Sequence, residues 1–280
     1  MSVPPSVRLS FPAVVSRLRA AGCVFAEDEA ELLLSTARSD DRLAAMVEQR
    51  VSGLPLEQVL GWAELCGLRI AVDPGVFVPR RRSELLVRQA AALAPPTAVV
   101  VDLCCGTGAL GVALAATLYA VPGRPAGSVE LYAADIEPAA VRCASRNVAP
   151  FGGRVFQGDL YHPLPVGLRG RVDVLIANAP YVPTEEIGLL PAEARLYEPQ
   201  VALDGGADGL DVQRRVAEGA PQWLAPGGCL LIETSERQAE LTAELFARSG
   251  LLPRIVVDED RYATVVIGTS TAQTPGPASA

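Results

Sequence analysis

The chain has 280 residues, half of them hydrophobic and a fifth charged, which is enough for one large packed domain or two unequal ones. Its net charge of −8 argues against a broad phosphate-binding surface. Every basic residue is an arginine, which excludes lysine nucleophiles, Schiff bases and a P-loop lysine. The single histidine, His162, makes a histidine-based metal site or catalytic triad improbable, and we expect no metal.

No targeting signal is evident in the sequence. It contains no apolar run of about 18 residues, and its first residues lack the layout of a secretory signal. The six cysteines form no C-x-x-C pair. We therefore expect reduced thiols, a cytoplasmic location and no membrane partner.

The first part of the chain has a helical pattern. Between about residues 10 and 60, apolar residues recur every three or four positions among charged ones. Leu68–Val72 is predicted as a strand, and Asp73-Pro74-Gly75 as the turn of a hairpin that follows it. A helix is predicted from about Ser83 to Leu93. These patterns predict a helical N-terminal domain over residues 1–75 with a hairpin linker to about residue 95.

After Pro96, apolar strands alternate with helices, which is typical of a parallel sheet covered on both faces. The last two strands predict an antiparallel edge hairpin. We therefore expect an α/β, Rossmann-like domain over residues 96–268 and a disordered tail over residues 269–280. The predicted strands are Ala98–Leu103, Val129–Ala134, Val155–Gln157, Val172–Ala177, Gly228–Glu233, Arg254–Val257 and Thr264–Ile267.

A glycine-rich loop follows the first of these strands. Gly106–Gly111 matches the dinucleotide pattern G-x-G-x-x-G, but that match alone is weak. Asp102, at the strand end, would repel a pyrophosphate and attract a cationic amine or sulfonium. The loop therefore favours S-adenosylmethionine, and its candidate cofactor residues are Asp102, Cys104, Gly106, Thr107 and Gly108.

Acidic residues also close the next two strands. Asp135 is placed to accept hydrogen bonds from ribose hydroxyls, and Asp159 to contact the adenine amino group. Either residue alone is equally typical of a helix cap or turn. Three successive acids on one sheet edge are more specific, and they add Ile136 and Leu160 to the predicted cofactor site.

The fourth strand leads into Asn178-Ala179-Pro180-Tyr181. An amide nitrogen is a poor nucleophile, so an enzyme must hold it close to the methyl group that it attacks. The Asn178 side-chain oxygen and the Ala179 carbonyl could each accept one amide N–H. Pro180 would stiffen the loop, and Tyr181 would supply an aromatic wall. We predict that these four residues form the reacting centre and that Asn178 also borders the cofactor.

With Gly53–Gly61, Val78–Val87, Glu198–Leu210 and Glu233 added to the loops described above, the chain resembles the HemK/PrmC-type family of protein N5-glutamine methyltransferases. The resemblance implies a class I methyltransferase fold, a five-helix N-terminal domain that helps hold the substrate, and S-adenosylmethionine as cofactor. It also implies a protein partner, the Gly-Gly-Gln motif of a class I peptide-chain release factor, and a role in translation termination. The motifs that carry it are Gly53–Gly61, Val78–Val87, Asp102–Gly108, Gly158–Leu160, Asn178–Tyr181, Glu198–Leu210 and Glu233.

The resemblance also places residues on the substrate side. We expect Glu84 and Glu198 to order loops rather than act as bases. Arg80–Arg82 is either a solvated helix start or a surface that steers a partner. The substrate-side candidates are Arg80, Ser83, Glu84, Asn178, Tyr181 and Glu198.

Four positions depart from the family pattern. Ala179 replaces the first proline of Asn-Pro-Pro-Tyr, and Cys104 stands at the first glycine of the loop. Arg81 replaces a proline, and Ser83 replaces a threonine but keeps a hydroxyl. These departures leave open a relative that acts on another amide or lacks activity. The Asn-x-Pro-Tyr group also suits the exocyclic amine of adenine, so an N6-adenine DNA or RNA methyltransferase is another alternative. A nicotinamide oxidoreductase is a further alternative, opposed by Asp102. The acidic net charge makes a nucleic-acid partner the weaker expectation.

Overall fold

A computed structural model describes residues 9–125 and 127–271. Its N-terminal part contains four α-helices among the described residues: α1 (Phe11–Ala20), α2 (Ala26–Thr36), α3 (Asp40–Val51) and α4 (Leu56–Leu60). The family resemblance implies five, and residues 1–8 lie outside the described residues. Ser39 caps α3 by accepting the Arg42 backbone N–H. The helices share a core of fully buried side chains that includes Val14, Leu18, Leu33, Met46 and Val47.

The hairpin lies earlier than the sequence pattern predicted. Strands β1 (Trp62–Leu65) and β2 (Leu68–Ala71) pair antiparallel, and Cys66 and Gly67 form the two-residue turn between them. Both turn residues have positive φ, +51° and +73°, as a type I′ turn requires. Asp73-Pro74-Gly75 leads into no second strand. The predicted position of the hairpin turn was wrong because Cys-Gly is a far weaker turn signal than Asp-Pro-Gly. Gly67 was the one local indication, since glycine adopts positive φ readily.

The second part of the chain alternates strands and helices. A short 3₁₀ turn at Arg81–Ser83 leads into α5 (Glu84–Leu93). The remaining elements are β3 (Ala98–Leu103), α6 (Ala109–Tyr119), β4 (Val129–Asp135), α7 (Pro138–Val148), β5 (Arg154–Gln157), β6 (Val172–Ala177), α8 (Ala192–Tyr197), α9 (Asp211–Gly219), β7 (Leu224–Thr234), α10 (Ala239–Arg248), β8 (Leu251–Asp258) and β9 (Ala263–Ser270).

The strands form a seven-stranded sheet of order β5-β4-β3-β6-β7-β9-β8 within the described residues. β3 to β7 are parallel, whereas β9 runs antiparallel to both of its neighbours. One apolar core packs against α5 and α6, and a second packs against α9 and α10 on the opposite face. This arrangement confirms the predicted Rossmann-like fold with its antiparallel edge.

The last strand, β9, extends into the predicted tail. β9 continues through Thr269 and Ser270, which pair with Leu252 and Leu251, because β8 extends far enough to hydrogen-bond them. The predicted tail therefore overlaps the strand by two residues, and residues 272–280 lie outside the described residues.

Among the helices that the structure describes, none is long and apolar enough to cross a membrane.

The strand order creates the cleft that matters for function. β3 pairs with β4 on one side and with β6 on the other, so the connections leave β3 in opposite directions. Such a switch point opens a crevice at the carboxyl ends of parallel strands. The loops after β3, β4, β5 and β6 all meet there.

The hairpin turn gives a test of this local geometry. Cys66→Val should lower the free energy of unfolding by about 1 kcal/mol, because a β-branched residue tolerates positive φ poorly. Cys66→Asn should cost far less, because asparagine adopts this conformation readily. Gly67→Ala isolates the φ effect, since an added Cβ there meets nothing within 4 Å. Urea unfolding of the three variants measures the effect, and a Cys66→Val protein as stable as wild type would contradict the assigned turn.

Candidate active site

A cleft of about 1090 Å³, open solvent at its mouth included, lies at the switch point. The structure brings most of the predicted cofactor residues together on its walls, although they come from four separate loops. Those that line the cleft are Cys104, Gly106, Thr107, Asp135, Ile136, Asp159, Leu160 and Asn178. Asp102 and Gly108 are not among the lining residues.

The loop after β3 has a backbone that few residues tolerate. Cys104, Gly106 and Gly108 have φ values of +53°, +54° and +74°. A Cβ on Gly106 would meet nothing within 4 Å, so this glycine serves the turn and leaves the backbone open to the cleft. A Cβ on Gly108 would lie 3.0 Å from Val148, so that glycine allows α7 to pack closely. Cys104 adopts the left-handed conformation at a steric cost that a glycine would avoid.

Asp102 lies behind the loop rather than on the cleft wall. Its side chain is 0% exposed, and its Oδ2 accepts the Gly111 N–H at 2.9 Å. Its Oδ1 has no hydrogen-bond partner among the described residues. Burial raises the pKa of Asp102 to about 7, the Gly111 hydrogen bond opposes that rise, and the nearby Asp135 carboxylate adds to it.

Asp135 and Asp159 present carboxylates to the cleft in different ways. Asp135 Oδ2 accepts the Gly106 N–H at 2.8 Å, and its Oδ1 accepts the Glu137 N–H at 2.9 Å. Partial burial raises the pKa of Asp135, against the effect of these two hydrogen bonds. Asp159 instead pairs with the Arg215 guanidinium of α9 at 2.5 Å. The sequence suggested neither the hydrogen bond between Asp135 and the Gly106 backbone nor the arginine partner of Asp159.

The predicted reacting loop follows β6. Asn178 and Pro180 line the cleft, whereas Ala179 is buried and Tyr181 lies outside the lining. The Tyr181 hydroxyl accepts a hydrogen bond from Arg82. The loop thus offers the cleft one amide side chain and one ring of proline.

The backbone of this loop is held by Gln238 and by the glycine-rich segment Gly205–Gly209. Gln238 Nε2 donates to the Tyr181 carbonyl and to the Asp208 carbonyl, each at 3.0 Å. The Gly205 N–H donates to the Val182 carbonyl at 2.8 Å. A Cβ on Gly209 would lie 2.3 Å from the Tyr181 carbonyl oxygen, so only glycine permits this approach. The glycine-rich segment therefore supports the reacting loop.

The substrate-side candidates divide into two groups. Glu198 is buried, and its Oε1 accepts the Val78 N–H at 3.1 Å and the Arg80 guanidinium at 2.6 Å. Ser83 lines the cleft, is 2% exposed, and has no partner for its hydroxyl within the described part of the chain. Glu84 instead accepts the Cys66 N–H and pairs with Arg261, so it stabilises the hairpin turn and does not line the cleft.

Sequence reasoning missed several groups that shape the site. Asn147 of α7 exchanges two hydrogen bonds with the Ala71 backbone and donates to the Thr107 carbonyl at 2.9 Å, which ties the hairpin to the cofactor loop. A single polar residue within a helix gives no sequence signal of such a role. Phe77, Pro199, Val201, Ala202 and Arg215 also line the cleft.

The N-terminal helices hold one wall of the cleft. Arg50 of α3 pairs with Glu29 of α2 at 2.7 Å and with Glu193 of α8 at 2.6 Å. The Tyr197 hydroxyl donates to the Ser52 carbonyl, and Gln58 donates to the Tyr197 carbonyl. Since α8 leads directly to Glu198 and Pro199, these contacts fix the segment that closes the cleft.

Comparison with known proteins gives sequence relatives over most of the chain. A family model described as "Methyltransferase small domain" matches residues 67–194. The release factor glutamine methyltransferase of Geobacter sulfurreducens is 38% identical over 225 residues, 80% of this chain and 75% of the relative. That of Mycolicibacterium smegmatis is 34% identical over 272 residues, 91% and 93% of the two chains. A 4-amino-L-phenylalanine/4-methylamino-L-phenylalanine methyltransferase of Streptomyces pristinaespiralis is 34% identical over 73% and 69%.

Solved structures agree on the fold. A methyltransferase from Pyrococcus furiosus has a TM-score of 0.53 at 16% identity, over 74% of this chain and 90% of that one. A 16S rRNA N2 G1207 methyltransferase of T. thermophilus, solved with AdoMet and guanosine, has a TM-score of 0.50 at 19% identity, over 75% and 49%. At these identities the likeness establishes a methyltransferase fold and nothing finer.

The sequence relatives carry more information than the structural ones. The Geobacter and Mycolicibacterium proteins match at 34–38% identity over at least three quarters of each chain. The resemblance first indicated by the motifs is thereby confirmed. The chain belongs to the release factor glutamine methyltransferase family.

Proposed function

We propose that this protein transfers a methyl group from S-adenosylmethionine to the side-chain amide nitrogen of a protein glutamine, in the Gly-Gly-Gln motif of a class I peptide-chain release factor. The observation that carries the proposal is the shared cleft of Asn178 with Asp135 and Asp159. An amide-binding side chain and the carboxylates suited to an adenosyl group thus border one space. Family membership supports the same reaction.

The residues on the walls fit the cofactor. S-adenosylmethionine would supply a methyl group that its sulfonium activates. Asp135 would accept hydrogen bonds from the ribose hydroxyls, Asp159 would face the adenine, and Ile136 and Leu160 would pack on its ring. The open space at Gly106 admits a close approach of the ligand to the backbone. Asp102 would act from behind the loop, where its charge favours a cation over a pyrophosphate.

The chain would hold the substrate amide through acceptors. The Asn178 side-chain oxygen accepts one amide N–H, and the Ala179 carbonyl accepts the other. The Ser83 hydroxyl, which has no partner among the residues that the structure describes, belongs to the same cleft and supplies a further polar contact. Pro180 limits the motion of the loop, so the nitrogen is held for in-line attack. No strong base is required, because the nitrogen loses a proton readily once it is methylated.

The partner would rest on the N-terminal helices as well as on the cleft. Arg80 pairs with Glu198, and the residues next to them, Pro79 and Pro199, line the cleft.

The relative named as an aromatic amino acid methyltransferase makes a small arylamine the second candidate substrate. Arylamines and amides both present a planar nitrogen, so a substrate panel decides between them.

The reacting centre and the cofactor site predict separable defects. Asn178→Ala should lower the methylation rate of a Gly-Gly-Gln peptide by about 10²–10³-fold, because one of the two amide acceptors is lost. Its affinity for S-adenosylhomocysteine should stay close to wild type. Asp135→Ala should instead weaken that affinity by about 10–100-fold, because it removes a charged hydrogen-bond acceptor. Transfer of a labelled methyl group and calorimetric titration measure the two effects.

Each variant is the control for the other, because both residues line one cleft. Undiminished turnover by Asn178→Ala would remove its assigned role. Transfer to 4-aminophenylalanine or to nucleic acid, with none to the peptide or to an intact release factor, would replace the proposed substrate. Unchanged cofactor binding by Asp135→Ala would place the cofactor elsewhere.

The buried Asp102 predicts a pH dependence of stability. Asp102→Asn keeps an oxygen for the Gly111 N–H but removes the charge. Because folding raises the pKa of this acid from 3.8 to about 7, its ionisation opposes folding. Without cofactor, the wild-type protein should lose stability relative to Asp102→Asn as the pH rises from about 4 to about 7, by about 4 kcal/mol at most.

Urea unfolding of both proteins between about pH 5 and about pH 8 tests this dependence. Asp208→Asn is a suitable control, because Asp208 lies at the surface and hydrogen bonding lowers its pKa. Stability curves for wild type and Asp102→Asn that run parallel throughout this range would contradict the raised pKa.

A further inference from the structure

A buried carboxylate lies directly beside the reacting loop. β6 and β7 are parallel, and Ala177 pairs with Ile232, so Glu233 follows at the same edge as Asn178. Glu233 is 1% exposed. Its Oε1 accepts the Nε–H of Arg82 at 3.0 Å, and its Oε2 has no partner among the described residues. The burial of this charge therefore depends on Arg82.

Arg82 joins this carboxylate to the reacting loop. It lies in the 3₁₀ turn before α5, 151 residues from Glu233 in the sequence. While its Nε donates to Glu233, its terminal nitrogen donates to the Tyr181 hydroxyl. A planar guanidinium can serve both acceptors at once, which a lysine ammonium cannot do with fixed geometry. The pair with Glu233 thus determines where Arg82 holds the tyrosine ring.

The tyrosine needs this support because its own loop is only partly constrained. Gln238 fixes the Tyr181 carbonyl, but that contact leaves the ring free to rotate. Ala179 has an unrestricted φ where a proline would limit it, and its N–H makes no backbone hydrogen bond within the described residues. Among the described residues, the contact with Arg82 is the hydrogen bond that holds the hydroxyl end of the ring.

We propose that Arg82, held by Glu233, is a positioning residue that orients Tyr181 and thereby the amide-binding loop at Asn178. Arg82 does not line the cleft, so its effect passes through the tyrosine. The catalytic consequence rests on the proposed amide methylation, whereas the geometric consequence does not.

The first experiment needs no substrate. In protein labelled with ¹³C at the phenolic carbon of tyrosine, the Tyr181→Phe variant assigns the Tyr181 resonance. Arg82→Met removes the guanidinium and keeps an unbranched stem, and it should shift this resonance. Arg81→Met is the matched control. The Arg81 guanidinium is 80% exposed and pairs with Glu64 at 3.8 Å, so the resonance should stay in place. An unmoved Tyr181 resonance in Arg82→Met overturns the proposal.

The second experiment measures turnover on a Gly-Gly-Gln peptide. Arg82→Met should lower kcat by about tenfold and leave the cofactor Kd within about twofold, since a displaced Tyr181 shifts the loop that carries Asn178. Tyr181→Phe should cause a similar loss, and the double variant should lose no more than either single one. Equal kcat for Arg82→Met and Arg81→Met, or additive losses in the double variant, contradicts the proposal.

Folding of the variants is controlled separately. Arg82→Met leaves the Glu233 carboxylate buried without its partner, which is destabilising. If that variant does not fold, Arg82→Met/Glu233→Gln removes the charge as well, and the same resonance and kcat changes are expected of it. If wild-type protein methylates neither the peptide nor an intact release factor, the proposed function fails, and the Tyr181 resonance still decides the positioning role.

Discussion

Parallel strand pairing is the constraint on which the site depends. Because β3, β4, β5 and β6 run in one direction, their carboxyl ends share one edge of the sheet. Residues as distant in sequence as Cys104 and Asn178 then border one cleft. The backbone groups of these strands are paired within the sheet, and the loops beyond them are free to present side chains and N–H groups. The candidate catalytic and cofactor-binding groups therefore lie in the loops just beyond the ends of the parallel strands.

Carboxylates buried near this edge of the sheet lose part of their hydration, and pairing with arginines offsets much of that free-energy cost. Glu198 pairs with Arg80, Glu233 with Arg82 and Asp159 with Arg215. A guanidinium is weakly hydrated and donates in several directions, so it suits positions half-removed from water. In a chain without lysine, every such pair uses this geometry. Within the described part of the chain no arginine pairs with Asp102, and burial raises the pKa of this carboxyl group.

Much of the fold followed from the sequence because its signals are local. β3 and β6 match their predicted bounds, since uninterrupted apolar runs are a strong pattern. The hairpin was misplaced because its turn contains a cysteine at positive φ. For the site, sequence identified which acids end the strands but not which way each side chain turns. Asp102 faces inward and Asp135 faces the cleft, a difference set by packing against Gly111 and Gly106. Contacts such as Arg82 with Glu233 join distant segments and have no local signal.

The Arg50 junction has a consequence for how the chain is divided. Its guanidinium joins α2, α3 and α8, and with Glu29 it is almost removed from solvent, each side chain being 11% exposed. Excision of residues up to 60 would leave Glu193 without its cation and the Tyr197 hydroxyl without the Ser52 carbonyl. The cleft wall beyond α8 would then lose these contacts, although no residue of the cleft had been deleted. The boundary of the methyltransferase fold in the sequence therefore differs from the boundary of the contacts that support its cleft.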